Sequence, residues 1–248
     1  MFTTNLDEIY ALPYIGMGLF GYVFKLSDDR VIKVPRIFPE SEHEHNSHLN
    51  WVNLESLKKE GAIYKRLGVH EGIIQCLKIQ DESIELAFAN EGTLLTYIQT
   101  HSPPTKDFRF EWIRSLTDTF VYVHSRRVLV QDIDLQNILV HDSSLKLVDF
   151  GQSFILPPNA DMKHACVNET TTSMEILHLG CIFYSIAAWT KFKYYYFDHW
   201  RWPLLEELPD TNDIICGDVI KKCWTAKYAT IEEVAKDIQS QADEVSNH

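Results

Sequence analysis

The chain has 248 residues, 45% of them hydrophobic and 12% aromatic, enough apolar material for a large buried core rather than an extended disordered segment. Its formal charge of -12 at pH 7 opposes nucleic acid and anionic membranes, so neither is expected as a partner, and any polyanion must be met by local cations or metal. Five scattered cysteines without a C-x-x-C pair encode neither a disulfide framework nor a zinc site; with no leader-like start and no bilayer-length apolar run, the reading is an intracellular, cytoplasmic protein.

The first strong signal along the chain is Gly16-Met17-Gly18-Leu19-Phe20-Gly21, a G-x-G-x-x-G run whose glycines let backbone N–H groups approach phosphate oxygens. Alone it reads either as a phosphate-binding turn or as a merely flexible one. A dinucleotide site needs a helix after the third glycine. Here 22–26 and 30–34 instead predict a hairpin about Ser27-Asp28-Asp29, and its second strand carries Lys33. Ser41 to His48, three histidines among acidic and small polar residues, reads as a solvated connecting loop.

A helix is predicted over 51–67, with Leu54, Leu57, Tyr64 and Leu67 on one face and Gly68 placed to end it. Glu60 falls on that same apolar stripe, where an unpaired charge is costly. Lys33 is the candidate cation, and such a pair would hold it extended beneath the glycine turn. Two more strands are predicted over 73–79 and 84–88.

After Asn90-Glu91-Gly92 the pattern turns helical, with Asp107 a candidate cap and Ile113, Leu116, Phe120 and Val123 a buried stripe. Residues 138–141 and 145–148 predict a second hairpin about Asp142-Ser143-Ser144. Asn137 precedes its first strand and Asp149 follows its second, so both emerge at one open end. An amide oxygen and a carboxylate there suit Mg²⁺, and Asp132, just upstream, is placed to receive a hydroxyl proton. The alternative is three turn residues with local roles. The aromatic group Tyr194-Tyr195-Tyr196-Phe197 with Trp200 and Trp202 reads as core packing or as a docking patch. Thr230 and Glu233 form a capping box ahead of Ile231, Val234 and Ile238.

In order and spacing, Gly16 to Val23, Lys33, Glu60, Asp132 to Asn137 and Asp149-Phe150-Gly151 resemble the protein kinases over nearly the whole chain, and most of all the short, divergent kinase-like proteins of filamentous fungi. The resemblance implies an α+β, bilobal fold: a small, mainly antiparallel β lobe with one helix over 1–89 and a larger, mainly helical lobe over 90–248, one domain spanning 10–242. It implies ATP and Mg²⁺ as cofactors, with Gly16, Met17, Gly18 and Gly21 over the phosphates, Lys33 on them and Glu60 as its partner. Asp132 would be the catalytic base and Asn137 and Asp149 the metal ligands. Val23, Val31 and Leu139 would enclose adenine, with Leu86 as gatekeeper and Ala87 to Ala89 as the hinge backbone. Tyr64, Val130 and Phe150 would fall on the apolar stack joining the lobes.

The departures are local. Val130-Gln131 replaces the usual His-Arg, and Val31 replaces alanine above adenine. Asp134 stands where a lysine normally faces the transferring phosphate, and Gln136 supplies no cation in its place. The segment 149–175 is short, Ala-Pro-Glu is absent, Glu175 stands where aspartate is usual, and an arginine after Trp224 is missing. The expected function is phosphoryl transfer from ATP to serine or threonine of a protein. The alternatives are a nucleotide-binding pseudokinase that presents a surface to partners, and a small-molecule kinase.

Overall fold

The computed structural model describes residues 6–39 and 44–246. Its first part is ordered by strand alternation. A short helix α1 (Leu6–Tyr10) leads into β1 (Tyr14–Met17), β2 (Gly21–Lys25) and β3 (Arg30–Pro35), and β4 (Cys76–Ile79) and β5 (Ile84–Ala87) complete an antiparallel sheet of order β1-β2-β3-β5-β4. Along β3 the two-residue period sends Ile32 and Val34 to one face, where they pack with Phe24 and with Ile9 of α1, and Val31 to the other, where it joins the main core. Lys33 lies on the Val31 face, so the alternation that buries Val31 also aims a lysine into the molecule.

Helix α2 (Glu44–Leu67) crosses that face. It starts well before residue 51, and Asn50 and Asn53 tie its early turns to the incoming backbone: Asn50 bonds both N–H and C=O of Phe38, and Asn53 donates to the Arg36 carbonyl. The histidine-rich stretch from residue 44 on is therefore helix rather than loop, and residues 41–43 lie outside the described residues. Gly68, at φ 67°, ends the helix in the left-handed conformation glycine favours. Of the strand predicted over 73–79 only β4 forms, since Ile73 and Ile74 turn away to pair with Leu147.

The later part is mainly helical: α3 (Leu94–Thr100), α4 (Lys106–Ser125), α5 (Thr172–Ala188), the single turn α6 (Tyr196–His199), α7 (Gly217–Trp224) and α8 (Ile231–Ser246). The stripe Ile113, Leu116, Phe120 and Val123 of α4 is fully buried. The α4 cap is Thr105, whose hydroxyl accepts from the Phe108 N–H, while Asp107 sits inside the first turn. At α8 Glu233 accepts from the Ala229 N–H at 2.7 Å, one residue earlier than a box with Thr230 requires. Helix α5 is buried nearly all round, and Gly180 admits α7, since a Cβ there would lie 2.7 Å from that of Cys223.

Three short ladders position the loops between these helices. β6 (Val128–Leu129) pairs with β9 (Phe154–Ile155), β7 (Ile138–His141) with β8 (Ser144–Leu147), and β10 (Cys166–Val167) with β11 (Thr170–Thr171). Asp142 and Ser143 turn β7 into β8 with φ of 47° and 59°, the two-residue hairpin geometry that matches strand twist. The architecture is α+β, an antiparallel sheet with one long helix followed by a helical part. No helix of the described residues is long and apolar enough to cross a membrane.

Candidate functional site

The β1–β2 turn is closed by the Gly18 N–H donating to the Gly21 carbonyl at 2.9 Å. Its glycines answer to different constraints. A Cβ on Gly16 would meet nothing within 4 Å, and one on Gly18 would lie 3.2 Å from Asp149 Oδ2. One on Gly21 would lie 2.7 Å from the Val34 carbonyl oxygen. Gly16 and Gly18 line the cleft below with Met17, whereas Gly21 is required by the close approach of β2 to β3 and does not line it.

Beneath the turn, Lys33 Nζ lies 2.7 Å from Glu60 Oε2 and 2.9 Å from Asp149 Oδ1. The Lys33 and Glu60 side chains are 7% and 1% exposed. Burial works against the Lys33 ammonium, but the two carboxylates outweigh it and hold its pKa above the ordinary value. Leu57, Glu60, Tyr64 and Leu67 are all buried on one face of α2, so Glu60 meets Lys33 from within that apolar stripe.

The β7–β8 hairpin brings Asn137 and Asp149 to one end, where the Val148 N–H donates to the Asn137 carbonyl at 3.0 Å. Asp149 has φ 63°, in the left-handed region, and its Oδ1 accepts from the Gly151 N–H as well as from Lys33. Burial pushes its carboxyl up and Lys33 outweighs that, leaving it below the usual range. Phe150 is fully buried and meets Tyr64 edge-on at 5.1 Å, and Val130 joins the same core. Asn137 Nδ2 donates to the Asp132 carbonyl and to Asp132 Oδ2, each at 3.0 Å, and Gln152 Nε2 approaches the same Oδ2 at 3.3 Å. Asn137 Oδ1 and Asp149 Oδ2 have no hydrogen-bond partner among the described residues, which leaves two hard oxygens free for a divalent cation. Burial, with Asp134 and Asp149 nearby, raises the Asp132 pKa despite the Asn137 bond.

Glu175 of α5 props this loop from behind. One oxygen accepts from the Val130 N–H and the other lies 2.8 Å from His124 Nε2, with both side chains sealed from solvent. The sequence marks Glu175 only as a departure, because nothing local to it indicates a partner on the loop at 130.

Asp134 neither points to solvent nor stands open to a metal. Its Oδ1 accepts from the Gln136 N–H at 3.0 Å, and its Oδ2 lies 2.6 Å from Lys193 Nζ. Burial raises its pKa, but Lys193 and the Gln136 bond outweigh that and lower it. Lys193 lines the cleft with Asp132, Asp134, Asn137, Asp149 and Lys33, and no pattern in the sequence singled it out.

Next to these polar groups lies a cavity of 620 Å³ walled by Val23, Val31, Leu86, Ala87, Ala89, Leu139 and Val148. The backbone N–H of Ala89, a buried residue, donates to no protein acceptor among the described residues. An orphan donor on an apolar wall suits a flat heterocycle with a hydrogen-bonding edge. Of the aromatic group, Tyr194 is buried and Tyr196 and Trp202 pack against the core, while Trp200 stands 61% exposed.

Comparison with known proteins agrees with this geometry. The family described as Protein kinase domain matches residues 11–190. Among curated proteins, the mitogen-activated protein kinase kinase kinase dlk-1 of Caenorhabditis elegans is 28% identical over 151 residues, 59% of this chain and 15% of that protein. The probable serine/threonine-protein kinase MARK-A of Dictyostelium discoideum is 26% identical over 178 residues, 70% of this chain and 16% of that protein. The Aurora kinase of Candida glabrata is 28% identical over 168 residues, 65% and 46% of the two chains. The match thus spans about a sixth of the first two relatives and less than half of the third.

Proposed function

This chain belongs to the protein kinase domain family, and on that premise we propose that it binds ATP with Mg²⁺ and transfers a phosphoryl group to serine or threonine of a protein substrate. The observation that carries the reading is the convergence of Lys33, Asn137 and Asp149 on the lining of one apolar cavity, with Glu60 paired to Lys33 and Asp132 bonded to Asn137. We take 1–89 and 90–248 as the two lobes between which that cavity opens.

The residues present fit the nucleotide and metal. Val23, Val31, Leu86 and Leu139 would enclose the base, and the Ala89 N–H would meet its edge. Lys33, fixed by Glu60, would hold phosphate oxygens, and Asn137 Oδ1 with Asp149 Oδ2 would hold the metal. Once bound, nucleotide and metal supply the transferable group and neutralise its charge. Asp132 does the chain's own acid–base work. Asn137 and Gln152 orient its Oδ2, its other oxygen is free to accept a hydroxyl proton, and burial makes it a stronger base than an exposed aspartate. The serine/threonine assignment draws on the printed name of the Dictyostelium relative.

The test is Mg²⁺-dependent ATP turnover with a generic protein acceptor, beside Asp149→Ala and Asp132→Asn. Turnover in the wild type that both variants abolish is the expected result. A second reading, a nucleotide-binding pseudokinase, is favoured by the anionic Asp134. ATP binding by the wild type without turnover would establish it in place of the first.

A further inference from the structure

A nucleotide triphosphate brings several negative charges into a cleft that already holds Asp132, Asp134 and Asp149. Lys33 is committed to two carboxylates, Glu60 and Asp149. The other ammonium lining this part of the cleft is Lys193. We propose that Lys193, clamped by Asp134, is the cation that meets the terminal phosphate of the bound nucleotide; the inference rests on the nucleotide-binding reading above and assigns a role within it.

The position of Lys193 is built rather than incidental. Helix α5 carries a line of groups at spacings of three and four, His178, Cys181 and Ser185, which one helix face presents in a row. The segment after α5 docks antiparallel along that line. Ser185 Oγ accepts from the Phe192 N–H at 3.0 Å, and its single proton faces the Cys181 carbonyl at 2.8 Å and the Phe192 carbonyl at 3.2 Å. Cys181 Sγ contacts the Tyr194 carbonyl at 3.9 Å, and the Tyr196 N–H donates to His178 Nε2 at 3.2 Å.

Between the rungs the side chains alternate. Phe192 packs inward on Tyr184 and Trp224, with ring centroids 5.4 and 5.2 Å away, and Tyr194 is 6% exposed, its hydroxyl bonded to the Arg201 carbonyl. Lys193, between them, must face the other way, into the cleft. Its side chain remains 45% exposed while that of Asp134 is 13% exposed. An ammonium has three donors, of which Asp134 occupies one. The pair thus presents its positive end to the cleft and its negative end to the loop backbone.

The test is calorimetric titration of the full chain with Mg·ATP and, separately, Mg·ADP. A contact with the terminal phosphate alone predicts that Lys193→Met weakens ATP about tenfold while ADP stays within about twofold, the loss of one charge-assisted contact. Lys193→Arg should keep most of the preference. The exchange Asp134→Lys with Lys193→Asp should return the ATP-to-ADP ratio to within about threefold of wild type, because an ammonium again faces the cleft from the same pair. Circular dichroism checks that each variant is folded. An unchanged ratio in a folded Lys193→Met that binds both nucleotides would overturn the proposal and leave the nucleotide reading intact, as would equal losses for ATP and ADP. Failure of the wild type to bind either nucleotide would remove the underlying reading and this inference together.

Discussion

Lys33 and Glu60 form an ion pair 2.7 Å long that is almost sealed from solvent, and the pair is asymmetric in its alternatives. Without Glu60, Lys33 keeps Asp149. Without Lys33, Glu60 has no other cation within salt-bridge distance among the described residues. Lys33→Ala should therefore destabilise the fold by about 3–5 kcal/mol at neutral pH, and Glu60→Ala by less, about 2 kcal/mol. Burial already raises the Glu60 pKa, so in Lys33→Ala the stranded carboxyl should take up a proton on mild acidification and recover part of the loss. Urea unfolding of both variants at pH 7.5 and about pH 5.5 tests this, and equal costs at both pH values would refute it.

The three glycines of the β1–β2 turn should separate in mutagenesis. Gly16→Ala meets open space and should change stability by less than about 0.5 kcal/mol. Gly21→Ala drives a methyl against the rigid Val34 carbonyl and should cost about 1–3 kcal/mol. Gly18→Ala crowds Asp149 Oδ2, and should weaken Mg·ATP binding with little effect on folding. Thermal melts and nucleotide titrations of the three variants check the pattern, which fails if Gly16→Ala proves the most damaging to the fold.

Glu175 supports the 130–137 loop through two buried contacts. Glu175→Ala strands the Val130 N–H and the ring nitrogen of His124 and should cost about 3 kcal/mol. Glu175→Gln keeps a carbonyl oxygen for Val130 and should cost about half as much. Denaturant midpoints decide it, and a Gln variant as unstable as the Ala variant would show that charge rather than hydrogen bonding matters there.

His178 gives the fold an acid sensitivity of known sign. Burial, the largest influence, with Lys193 beyond it, pushes the imidazole from 6.5 down to about 4. The unfolded chain therefore binds this proton more readily, so the contribution of His178 is fully present above about pH 6.5 and is lost as pH falls toward 4, at about 1.4 kcal/mol per unit. The melting temperature should drop between pH 7 and 5, and His178→Gln, which retains an acceptor for Tyr196, should flatten that slope. Parallel slopes for the two proteins would exclude His178 as its origin.

Local chemistry made much of this molecule legible in one dimension. The alternation of β3, the stripe of α2 with Glu60 on it, the hairpin that unites Asn137 and Asp149, and the glycine turn each follow from periods of two or 3.6 residues acting over a few turns of chain. Their combination in order along 11–190 identified the family. Only the tertiary structure could decide what lies across the chain from each group. Asp134 reads as a reversed charge until Lys193, 59 residues away, is found beside it. Glu175 becomes a support only when α5 is packed behind residue 130. The early turns of α2 are tied down when Asn50 and Asn53 find backbone partners in an adjoining segment. In each case the deciding energy is a contact between distant residues, and no periodicity in a sequence encodes which distant residues will meet.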